Sequence, residues 1–136
     1  MSHHASVTVP AGEAELVLEA LLSVYAARAG ALAEHAERPD PGRLQEARDA
    51  LTEAARALDG YGWERGPRYA PAQLAGPDAL VGEVLRCALG DAYDALGSTT
   101  DDYHRGRAAL PDVESAHGRL TAVLGLFAAF EREHAL

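Results

Sequence analysis

The sequence predicts an all-α protein, a four-helix antiparallel bundle made of two helical hairpins joined by a long Gly/Pro/aromatic link. Three observations carry that expectation. Apolar residues recur at three- and four-residue steps along most of the chain, the spacing of amphipathic helices. Of the 136 residues 29 are Ala, the best helix former. One long stretch breaks the pattern, GYGWERGPRYAPAQLAGP from Gly60 to Pro77, with four Gly and three Pro. The length suits one domain with a real core. Residues 1–10, MSHHASVTVP, read as a disordered leader, and 11–136 as the helical domain.

The first helix is expected from Ala11 to Glu37, with Leu18, Leu21, Leu22, Tyr25, Ala29, Leu32 and Ala36 on one side. Glu13, Glu15 and Glu19 suit its positive N-terminal end. Pro39 ends it, because the residue before a proline avoids the α region. Asp40 then caps a second helix with Pro41 at its first position. Its seam is Leu44, Ala47, Leu51, Ala54 and Leu58, and Gly60 is the expected stop. So short a connection makes the two helices an antiparallel hairpin.

The third helix begins near Pro77-Asp78 with an apolar stripe from Leu80 and Val81 through Leu89 to Leu96. At Gly97 the pattern falters, and Ser98-Thr99-Thr100-Asp101-Asp102 resembles a fresh helix start. A kink or brief break is expected there, then a continuation to about Arg107. The fourth helix starts at Pro111-Asp112 and carries Val113, Ala116, Leu120, Val123, Leu124, Phe127 and Phe130 to about Glu133. Whether the 60–77 link caps one end of the helices or crosses their full length is open at this level.

Composition excludes several classes of function. The formal net charge is −9, which argues against nucleic acid and against an anionic membrane surface. All 12 basic residues are Arg, and Lys, Asn and Ile are absent, the bias of a GC-rich bacterial coding sequence. Cys87 is the only cysteine, so there is no intrachain disulfide and no Cys-based metal motif. No apolar run is expected to approach the roughly 20 residues that span a bilayer, and the expected location is the cytoplasm. No phosphate loop, nucleophile elbow or Ser/His/Asp arrangement is present.

Two candidate sites remain. In the link, Tyr61, Trp63, Arg65, Arg68 and Tyr69 are the residue types that concentrate at binding hot spots. They point to a protein partner or ligand, with a second copy of the chain among the partners; the competing reading is that the aromatics fold back and plug the helices. The second candidate is a His/carboxylate cluster at one end. Glu114 and His117 form a Glu-x-x-His pair of the kind used in di-metal bundles. Asp101 and His104 lie across the hairpin turn, and Glu34 and His35 join them if the first and third helices are parallel. Such a set would take zinc or iron. Glu131 and His134 repeat the spacing, but about 25 Å further along the same helix, so the two motifs cannot share an ion. The expectation is a small acidic, non-enzymatic binding protein, with a metal- or ligand-binding bundle as the alternative.

Overall fold

The structure is a computed structural model and describes residues 3–37, 40–62 and 71–134. It contains four long helices, α1 Ala14–Glu37, α2 Pro41–Tyr61, α3 Asp78–His104 and α4 Leu110–His134. A 3-10 turn, Ala11–Glu13, leads into α1. Two strands, β1 His4–Val9 and β2 Ala72–Pro77, add a small antiparallel sheet.

The strand β1 corrects the expectation of a disordered leader over residues 1–10. Its side chains alternate, with Ala5 and Val9 buried, Val7 half-buried, and Ser6 and Thr8 exposed. The pairing puts Ala5 opposite Gly76, Val7 opposite Leu74 and Val9 opposite Ala72, so both inward rows meet the same core. Outside, Thr8 Oγ1 donates to Gln73 Oε1 at 3.0 Å, and Gln73 Nε2 donates to Ser6 Oγ at 2.6 Å. Two strands alone are marginal in water. Here the ribbon is held because Leu74 and Val9 are fully buried among the helices.

The caps explain the helix ends. Asp40 Oδ1 accepts from the backbone N–H groups of Gly42 and Arg43, and Pro41 sits in the first turn, as expected. The stop of α2 is Gly62, at φ 78° in the left-handed region, and not Gly60. Two glycines flank Tyr61, and only the second takes the positive φ, which lets Tyr61 stay helical and point into the core. The break expected at Gly97 does not occur, and α3 is continuous through it. Gly97 lies on the solvent side, and Thr100 Oγ1 donates back to Leu96 O within the helix instead of capping a new one. The α3 helix ends at His104, short of Arg107, and Gly106 turns the chain at φ 74°. In α4, Asp112 Oδ2 accepts from Ala109 N.

The helices pack in the order α2, α1, α3, α4. The helix α1 packs against α2 and against α3, and α3 packs against α4. The ribbon completes the enclosure, with β2 on α2 and α3, and β1 on α3 and α4. Arg28 in α1 fixes three helices at once. Its guanidinium donates to Ala50 O at 2.7 Å and reaches Glu53 of α2 at 3.5 Å and Glu83 of α3 at 3.1 Å.

Those contacts set the directions. Arg28 lies by Glu83 near the start of α3, while Leu16 shares a cleft with Ala92 and Ala95 further along it. So α1 and α3 are antiparallel. Because α1 and α2 are antiparallel as well, α2 ends at the opposite end of the helices from the start of α3. The strand β2 makes the return, leading into Asp78, whose N–H donates to His3 O.

Among the described residues, one helical run is long and apolar enough by length and composition to cross a membrane. It is Ala11–Glu37, with a mean hydropathy of 1.5 over its most apolar window. This corrects the expectation that no apolar run approaches that length: the window tolerates two charged residues within an otherwise apolar helix.

Candidate functional site

The directions of the helices decide the His/carboxylate cluster. Glu34 and His35 lie at the C-terminal end of α1, whereas Asp101 and His104 end the antiparallel α3. The structure therefore separates these two pairs by most of the length of the helices. The α3/α4 register separates the rest. Asp78 lies by His134, Gly82 by Phe130, and Thr99 shares a cleft with Asp112. That register sets His117 level with about residue 95, roughly 13 Å along the axis from His104. Glu114 and His117 share one exposed face of α4, but two donors leave a four-coordinate zinc or iron site incomplete. Among the described residues no three His, Cys, Asp or Glu side chains converge on one point.

Of the link residues, Tyr61 is buried, and its hydroxyl donates to the backbone oxygen of Ala14, joining the end of α2 to the start of α1. Trp63, Arg65, Arg68 and Tyr69 lie outside the described residues.

A polar pair that the sequence reading did not join sits where α3 starts and α4 ends. His134 Nδ1 is 3.4 Å from Asp78 Oδ1, with both side chains largely buried. Among the described residues Asp78 Oδ1 has no hydrogen-bond partner, and its contact with the imidazole is one of proximity. The His134 ring stacks on Phe130 at 4.8 Å between centroids. The hairpin register was the missing signal, because it brings residues 78 and 134 level.

Cys87 is half-buried on α3. Burial pushes its thiol pKa up, and the nearby carboxylate of Asp91, with Oδ2 3.9 Å from Sγ, adds to the shift. Both causes suppress the thiolate, the reactive form. Alkylation by iodoacetamide at pH 7.5 is expected to run several-fold slower than that of free cysteine. A rate equal to or above that of free cysteine would contradict this environment.

Among the described residues, a broad apolar feature lies on the outer side of α3 and α4. An open groove of about 610 Å³ is lined by Leu89, Gly90, Tyr93, Leu120 and Leu124, with Arg86 and Asp94 at its edges. Tyr93 is 68% exposed and Leu124 50%. The geometry of α3 explains it. Leu80, Val81, Val84, Leu85, Ala88 and Ala92 fill one side of the helix and face the core. At 100° per residue, Arg86, Gly90, Tyr93 and Gly97 fall on the opposite side. On α4 only Val123 and Phe130 are fully enclosed, so much of its apolar face remains outside.

A smaller cleft of about 250 Å³, where Leu16 of α1 meets α3 and α4, carries Thr99, Asp112, Ser115 and Arg119. It is a shallow mixed surface with no paired acid and base. No protein-family model matches the chain, and no curated protein and no solved structure shows significant similarity to it.

Proposed function

We propose that the protein is a small acidic, non-enzymatic interaction module that binds a protein partner through the outer groove of the α3/α4 hairpin. In this reading the four helices act as two hairpins of one antiparallel bundle, with the ribbon closing its side. The observation that supports it is the apolar row Leu89, Tyr93, Leu120 and Leu124, in which Tyr93 and Leu124 are exposed and Leu89 and Leu120 half-buried. Contiguous apolar patches are scarce on soluble monomers and mark contact surfaces when present. Tyr is among the residue types enriched at binding hot spots. The net charge of −9 argues against a nucleic-acid ligand.

The test is a photo-crosslinking residue placed at Tyr93 in the native host, with the same residue at Arg48 on the exposed side of α2 as control. Discrete protein adducts are expected from position 93 and none from 48. No adduct at 93, or equal labelling at both, defeats the reading.

A further inference from the structure

We infer that the groove is occupied by a second copy of this chain, in a two-fold dimer whose α3 helices cross at Gly90. This rests on the reading of the groove as a protein-contact surface and names its occupant. The argument starts from the charges. Arg86, Gly90 and Asp94 are spaced by four residues and form one ridge along α3. Among the described residues neither Arg86 nor Asp94 has a hydrogen bond or ion pair. The ridge thus carries an unpaired positive charge, a glycine and an unpaired negative charge in equal steps.

Such a ridge is complementary to itself when reversed. A two-fold axis at Gly90 sets Arg86 of one copy against Asp94 of the other, and the reverse contact forms by symmetry. Packing the four-spaced ridges of two helices together fixes the crossing near about −50° and lays the rows side by side. The crossing point needs a small residue, and the space where a Gly90 Cβ would sit is open. Gly97 is open too, and the same axis brings it level with the partner's Glu83, which holds Arg28 within its own copy. Leu89, Tyr93, Leu120 and Leu124 flank the crossing and supply the apolar area.

The net charge of −9 on each copy opposes association. At physiological salt that repulsion is screened beyond about 8 Å, while opposed charges in contact still set orientation. The charges at the ridge therefore specify the pairing, and the apolar flanks drive it.

The experiment is sedimentation velocity of the full chain in 0.15 M salt, from about 1 to about 300 μM, a range reaching weak interfaces. Wild type is expected to show a reversible monomer–dimer equilibrium. Arg86→Asp and Asp94→Arg should each weaken it at least about tenfold by opposing like charges. The double variant R86D/D94R should return to within about threefold of wild type, because the swapped ridge is again self-complementary. Circular dichroism checks that each variant stays folded, as expected for exposed positions. A monomer at all concentrations overturns the inference, as does a dimer that ignores the single reversals or is not rescued by the double one. If the chain is monomeric yet position 93 crosslinks another protein, the second copy is wrong and the contact surface stands. If position 93 crosslinks nothing, the contact surface fails as well.

Discussion

Val9→Asp is expected to destabilise the protein by upwards of about 4 kcal/mol, enough to unfold many domains with a stability of about 5–15 kcal/mol. Val9 is fully buried at the end of β1, opposite Ala72, in a core whose buried side chains are all apolar among the described residues. A charge there stays unpaired in an apolar site, or the strand must leave the sheet. Leaving also uncovers Leu74, which is fully buried. Thr8→Asp is the control, one residue away on the exposed side of the same strand. It should cost under about 1 kcal/mol, the scale of strand propensity. Urea unfolding followed by circular dichroism measures both. Equal, small effects at the two positions would mean that the first nine residues do not belong to the fold.

That pair of variants probes the part of the fold that was least legible in the sequence. The helices were readable because their signals are local. Asp40 and Pro41 announce the start of α2 within two residues, and the cap forms as that pattern implies. The strands carry no comparable signal. Each has six residues, and β2 includes Gly76 and Pro77, which usually argue against a strand. Their pairing joins His4 to Pro77 across most of two helices, and no local window contains that information. Glycine misled twice for one reason. Gly60 read as a stop and Gly97 as a kink or brief break, but both sit inside helices, and the turns fall at Gly62 and Gly106, where φ is positive. Sequence shows where glycine permits a turn, and packing selects which glycine makes it.

The candidate sites divide along the same line. Periodicity found Leu120 and Leu124 on the apolar face of α4, but it does not report what covers that face. An apolar arc wider than the core can absorb is the only hint, and it appears once Val123 and Phe130 are seen to be enclosed while Leu124 is not. The His/carboxylate cluster depended on α1 and α3 being parallel, a property of the long connection and not of any helix. The Arg28–Glu83 contact requires the opposite direction and takes Glu34 and His35 away from the other residues.

Phe130→Ala should cost about 3–5 kcal/mol, the range for deleting a buried aromatic ring. Phe130 is 1% exposed, stacks on His134 and lies against Gly82, so it fixes the register between the end of α4 and the start of α3. The contact with Gly82 makes the register itself testable. A Cβ at position 82 would meet Phe130 Cε1 at 3.2 Å, so Gly82→Ala must displace the ring slightly. Against that stands the better helix propensity of Ala, worth about 1 kcal/mol in a helix interior. In the wild type the two effects oppose and the net change should be small or unfavourable. In the Phe130→Ala background the obstructing ring is gone, and Gly82→Ala should stabilise by about 1 kcal/mol. The double-mutant cycle should thus give a coupling of at least about 0.5 kcal/mol, the value expected for residues in contact. Urea midpoints at constant slope measure all four corners. If Gly82→Ala has the same effect in both backgrounds, Phe130 does not pack on Gly82, and the α3/α4 register that aligns the groove residues is wrong.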